Sequence, residues 1–248
     1  MKIIALDSSG LVATVAVTED DNLIAEYNVQ YKKTHSQTLL PMLDELKKMV
    51  ELDLKSVDAI AVTKGPGSFT GLRIGSATAK GLAGALDIPI VEIGTLEAMA
   101  CNLYGNTDII CPIMDARRNQ VYTGVYTYEL KDGSYEMKEL MEESAMDIGE
   151  LLSSLKDIAS KENKENIIFL GDGVPVFKSR IDEELKINHI FAPSHMNRQR
   201  AASFSYLALE KLKKGETVEA KDHAPVYLRL SQAERERNEG IRNKGSNY

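Results

Sequence analysis

The sequence predicts an α/β protein in two lobes, and three observations carry that reading. The first thirty residues hold three short strands. Ala59-Ile60-Ala61-Val62 then runs through a Gly-Pro-Gly turn straight into a helix, and from about Gly105 a second series of strands and helices begins. A chain of 248 residues with 43% hydrophobic content fills one large domain or two small ones.

Composition excludes more than it selects. A net charge of −7 argues against a protein that grips nucleic acid unaided, because neutralising phosphates needs clustered Lys and Arg, so any such contact is expected to be shared. Cys101 and Cys111 are too few for a disulfide scaffold and have no metal-ligand spacing. No stretch approaches about 18 uninterrupted apolar residues, and the first residues run directly into a strand. Neither a membrane span nor a signal peptide is expected, and cytoplasmic residence is the default.

In chain order, Ile3 to Leu6, Val12 to Val17 and Leu23 to Asn28 are strands separated by turn-forming residues. His35 to Glu51 is an amphipathic helix: Leu39, Leu43, Leu46 and Val50 form a stripe, widened by Leu40, Met42 and Met49 to about half the circumference. Thr34 or Ser36 is placed to cap it, Leu52 falls off the stripe near its end, and Pro41 either stands just inside its start or kinks it. So wide a stripe fits a deeply buried helix or one that also meets a partner. His35 is read as a hydrogen-bonding residue, since no second ligand sits at helical spacing.

The helix after Gly65-Pro66-Gly67, ending at Leu86, carries only Arg73 and Lys80 on one narrow strip; the remainder is small or apolar and needs cover on more than one side. One face runs through Leu72, Gly75, Ala79 and Leu86, the opposite one through Ile74, Ala77, Thr78, Gly81 and Ala85; one covers the sheet and the other meets the partner, spacing leaves open which, and the larger side chain at 72 favours the first for the sheet. The glycine-rich loop either presents N–H groups to a phosphate or lets backbones approach closely; it lacks the Walker ending and the dinucleotide spacing. Together the two over-apolar helices argue for an obligate partner, expected on His35, Leu39, Met42, Leu43, Leu46, Leu72, Arg73, Ile74, Ala77, Lys80 and Gly81.

Ile88 to Gly94 is a strand leading into a helix near Thr95. The second lobe follows with strands at Asp108 to Met114, Gln120 to Thr127, Ser134 to Leu140 and Ile167 to Leu170, and a helix from Ile148 to Ser160. The turn arginines Arg117 and Arg118 are either solvated or contact an anion or partner. A helix from Met196 to Lys214 carries the stripe Phe204, Leu207, Ala208, Leu212. The expected division is residues 1–104 with 196–225 as the N-terminal lobe, 105–195 as a smaller C-terminal lobe, and 226–248 as a mobile tail.

Lys64-Gly65-Pro66-Gly67-Ser68-Phe69-Thr70-Gly71-Leu72-Arg73-Ile74-Gly75, followed by Ala79-Lys80-Gly81-Leu82-Ala83, resembles the signature of the bacterial TsaB (YeaZ) family. Ile4 to Ser9, Thr34-His35-Ser36-Gln37, Asp115-Ala116-Arg117-Arg118 and Tyr227-Leu228-Arg229 fit it too. The resemblance implies the two-lobed actin-like ATPase fold, of the Hsp70 and sugar-kinase type, duplicated from a ribonuclease-H-like unit. It implies a non-catalytic subunit of the machinery that transfers a threonylcarbamoyl group to N6 of adenosine 37 in tRNAs reading codons that begin with A. The implied partners are a TsaD-type catalytic paralogue in a heterodimer, a TsaE-type ATPase in a larger complex, and tRNA indirectly; a homodimer is open when the chain is alone.

The same resemblance places the site residues. In nucleotide-binding relatives the turn after the first strand is a phosphate loop, here Asp7, Ser8 and Ser9; Asp7 either faces a metal-bound phosphate or caps the turn. Their adenosine loop falls at Gly171 to Phe177, where Gly171 and Gly173 fit and Pro175 and Phe177 depart. A weak or vestigial ATP or ADP site near the partner interface is therefore expected, with no cofactor tightly bound. Where the paralogue carries His-x-x-x-His and a late Asp for its metal, this chain has Thr95, Met99 and Gln199, so neither metal nor catalytic residues are expected. The competing readings are an ATPase or small-molecule kinase of the same superfamily and a glycoprotease-like protein.

Overall fold

The structure, a computed structural model, describes residues 1–31 and 33–229. Its first sheet is built from β1 (Lys2–Asp7), β2 (Ala13–Glu19), β3 (Asn22–Val29), β4 (Ala59–Gly65) and β5 (Ile90–Gly94), with α1 (His35–Met49) between β3 and β4 and α2 (Phe69–Leu86) between β4 and β5. The strands lie in the order β3-β2-β1-β4-β5: the first three form an antiparallel meander and β4 runs parallel to both β1 and β5.

After α3 (Thr95–Ala100) the second lobe repeats the plan with β6 (Ile109–Asp115), β7 (Gln120–Lys131), β8 (Ser134–Asp147), α4 (Ile148–Glu162), β9 (Asn166–Leu170), α5 (Val174–Glu184) and β10 (Asn188–Phe191), before α6 (Ala201–Lys213). Its order is β8-β7-β6-β9-β10. Numbered within each lobe, both sheets read third, second, first, fourth, fifth. This duplicated ribonuclease-H-like sheet is the actin-like fold that the resemblance implied.

Alternation along the central strands explains the layers. Ile4, Leu6, Ile60 and Val62 point to one side, where α1 and α2 supply Leu39, Leu43, Leu46, Ala79 and Ala83. Ile3, Ala5, Ala59 and Ala61 point to the other, where α6 supplies Phe204, Ala208 and Leu209. Strands buried on both faces read as continuous apolar runs, which is why β1 and β4 are visible in the sequence. One helix crosses between the lobes and another sits between them, with Ala98 of α3 in the core of the first sheet. α6, which follows the second sheet, packs on the first, while Leu96, Met99 and Ala100 of α3 pack with Ile110, Met114 and Tyr126 of the second.

Several boundaries differ from expectation. α1 starts at His35 as expected but ends at Met49 rather than Glu51, running through Pro41; Thr34 holds the N-cap position, but its hydroxyl pairs with Ser36 instead of capping. Residues Gly171 to Phe177, expected as a loop, turn directly into α5, because Val174-Pro175 suits a first helical turn and Phe177 and Ile181 bury against the sheet. α6 starts at Ala201 rather than Met196, since the carbonyls of Met196 and Arg198 accept from Asn102 Nδ2 at 2.8 and 2.6 Å. Residues 226–229, expected in a mobile tail, are bonded to both lobes. The part of that tail from 230 to 248 lies outside the described residues. Among the described residues, no helix is long and apolar enough to cross a membrane.

Candidate functional site

Between the lobes lies a cleft of about 590 Å³. Ser9 and Gly10 after β1, the start of α2, the turn between β6 and β7, and residues 226–229 form its walls. Asp7 does not line it. Its side chain is fully buried, Oδ1 accepts from the Ser9 amide at 2.6 Å, and burial pushes its carboxyl above the ordinary value. Of its two readings, turn capping is the geometry observed. Ser8 donates from Oγ to the Gly71 carbonyl at 2.8 Å, and the Ser9 carbonyl accepts from the Ser68 amide at 2.7 Å.

The glycine-rich loop is therefore packed onto the turn that follows β1. A Cβ at Gly67 or Gly71 would overlap the carbonyl oxygens of Ser9 and Ser8. Close backbone approach is what these glycines serve, and the Gly71 amide is already taken by the Ser68 hydroxyl that caps α2. Gly171 and Gly173 are similarly committed: Gly171, at φ +110°, donates to Asn197 Oδ1 at 2.7 Å and Gly173 to the Ile113 carbonyl at 3.0 Å. Between them Asp172 reaches the cleft, accepts from the Asp115 amide at 3.1 Å, and has its carboxyl pushed up by burial. Nothing in the sequence alone singles it out, since an Asp between two glycines reads as an ordinary turn residue. His35, at the rim, donates from Nε2 to the Gly10 carbonyl at 2.8 Å, which is the hydrogen-bonding role expected of it.

Thr95 and Met99 are both fully buried, with Met99 in the apolar core of the second sheet, and the Gln199 amide lies against Gly10, 4.0 Å from Met114 Sδ. Among the described residues, no group of three or more His, Cys, Asp or Glu is arranged to hold a metal.

The expected partner face needs correction. Leu39, Met42, Leu43 and Leu46 of α1 are buried in the first core, and Leu72 of α2 is buried against the sheet, so none of them is available to another chain. The wide stripe of α1 is consumed by its own lobe. What faces outward is Leu40 and Met49 on α1 and Arg73, Ala77 and Gly81 on α2, with Ile74 and Lys80 half-buried beside them. Around Gly81 an added Cβ would meet nothing within 4 Å among the described residues, in contrast to Gly71. Arg73 lies over the Phe69 ring at 3.9 Å and donates to the Tyr227 hydroxyl at 3.2 Å, while Lys80 donates to the carbonyls of Lys221 and His223.

Comparison with known proteins agrees with this architecture. A protein-family model described as TsaD, tRNA N6-adenosine threonylcarbamoyltransferase, matches residues 23–237. The tRNA threonylcarbamoyladenosine biosynthesis protein TsaB of Bacillus subtilis is 35% identical over 234 residues, covering 94% of this chain and 96% of that protein. The protein of the same name from Haemophilus influenzae is 28% identical, covering 92% and 94%. The solved structure of YeaZ from Pseudomonas aeruginosa superposes with a TM-score of 0.71 at 26% identity, covering 92% of this chain and 99% of that one.

Proposed function

The chain belongs to the TsaB (YeaZ) family, and from that premise we propose that it is a non-catalytic subunit of tRNA threonylcarbamoyladenosine biosynthesis, a docking platform for a TsaD-type catalytic paralogue. In this reading the paralogue transfers the threonylcarbamoyl group to N6 of adenosine 37 in the cytoplasm, a TsaE-type ATPase joins the larger complex, and tRNA reaches this chain only through the assembly. The observation that carries the proposal is the outward face of α2. Glycine inside a helix costs about 1 kcal/mol relative to alanine. Gly71 is repaid by packing on Ser8, but a Cβ added at Gly81 would meet nothing within 4 Å among the described residues. With Ala77 exposed on the same side, it leaves a shallow surface along which another helix can approach closely.

Co-expression with the paralogue followed by size exclusion and mass measurement tests this. A one-to-one complex is expected at micromolar concentration. Two proteins that stay separate in both low and moderate salt would overturn the platform reading. The ATPase alternative predicts ATP hydrolysis by the purified chain that Asp7→Ala abolishes; the buried, turn-capping position of Asp7 speaks for the platform. With Thr95, Met99 and Gln199 supplying no imidazole or carboxylate, elemental analysis is expected to find no stoichiometric iron or zinc.

A further inference from the structure

We propose that residues 224–229 are a strap that closes the inter-lobe cleft, and that the outward face of α2 controls it through Arg73. The segment reaches the cleft from a firm anchor. Val218 exchanges two backbone hydrogen bonds of 2.9 Å with Ile90 at the edge of the first sheet, and the buried His223 donates from Nδ1 to Glu92 Oε1 at 2.7 Å. Beyond His223, three holds lie among the described residues. The Val226 amide donates to the Lys64 carbonyl at 2.7 Å, the Tyr227 ring lies 4.8 Å from that of Phe69 while its hydroxyl accepts from Arg73, and Arg229 donates to the Ala116 carbonyl at 2.7 Å. The first two are on the first lobe and the third is on the second, so the strap ties the lobes together at the cleft mouth.

The strap is built into the fold. Gly65 has φ +122°, and a Cβ there would overlap the Val226 carbonyl oxygen, so the glycine that shapes the loop also makes room for the strap. It is also releasable: Val226 and Tyr227 are 43% and 39% exposed, and a segment held by a handful of exposed contacts opens locally at small cost. Arg73 links this segment to the rest of the surface. It stands on the outward face of α2, between Phe69 and Tyr227. On the function proposed above, on which this coupling rests, the catalytic paralogue that docks on this face and draws the guanidinium away removes one of the strap's holds, so docking and cleft opening share a free energy.

Hydrogen–deuterium exchange on the full chain alone tests the strap without any partner, and so independently of the function proposed above. The reporters are the Val226 amide, protected by Lys64, and the Gln120 amide in the β6–β7 turn of the other lobe, bonded to the Arg117 carbonyl. Arg229→Ala and Arg73→Ala are each expected to speed exchange at both by about fivefold, the value of one hydrogen bond. Tyr227→Ala, which loses the ring contact as well, is expected to give roughly tenfold or more, and Tyr227→Phe less than Tyr227→Ala. Unchanged exchange in β1 and β6 shows that the fold is intact. If Arg229→Ala leaves Gln120 unaltered, the strap does not hold the second lobe; if Arg73→Ala is silent at Gln120 while Arg229→Ala is not, control from α2 is refuted.

Discussion

Two glycines on α2, ten residues apart, answer to opposite demands. At Gly71 a Cβ strikes the Ser8 carbonyl, and at Gly81 it meets nothing within 4 Å among the described residues. Gly71→Ala is therefore expected to destabilise the chain by about 3 kcal/mol, the upper part of the overpacking range, in urea unfolding. Gly81→Ala is expected to stabilise the isolated chain by about 0.5–1 kcal/mol through helix propensity while weakening association with the paralogue. Glu143 offers a test by pH. Its carboxylate, in β8, accepts from Tyr126 Oη at 3.1 Å and from the Glu97 amide at 3.0 Å, and burial holds its pKa above the ordinary value. A carboxyl raised in the folded state favours folding most when protonated, so this contribution is present below the ordinary glutamate value and is lost as pH rises through the folded one. Glu143→Gln keeps the acceptor and removes the charge. The thermal midpoint of the variant should exceed that of the parent at pH 7 and the difference should vanish near pH 3.

At the scale of the element, α2 presents one side to the sheet and one to solvent. Leu72 is 2% exposed and Ala77 is outward, which resolves the two faces that residue spacing left as an expectation. Leu72→Arg places an unpaired charge in the core and should unfold the chain, since that costs several kcal/mol of a stability of about 5–15. Ala77→Arg should leave circular dichroism unchanged and abolish capture by the paralogue. Should both variants fold and bind, α2 is not the interface. β1, β4 and α2 were legible because buried strands and small-residue helices announce themselves in any window of ten residues. α5 was not, because Pro175 reads as a breaker until its position in the first turn is known, and β10 has four residues with no clear alternation.

For the whole molecule, α6 on the first sheet and α3 between the two make the lobes interdependent. Phe204, fully buried between α6 and the first sheet, is its largest side chain in that layer. Phe204→Ala should cost about 3–5 kcal/mol, read as a lower urea midpoint. By itself the sequence determined the α/β class, the positions of most strands and the family resemblance, because these depend on local periodicity and on motifs within a dozen residues. Only the tertiary structure decided what each face of the helices meets. The wide stripe of α1 went to its own core, Asp7 turned inward to cap a turn, and Arg73 found Tyr227, 154 residues away. A side chain's period marks the face on which it lies, but what meets that face is settled by closing the chain around it, and pairings so distant in sequence leave no local pattern to read.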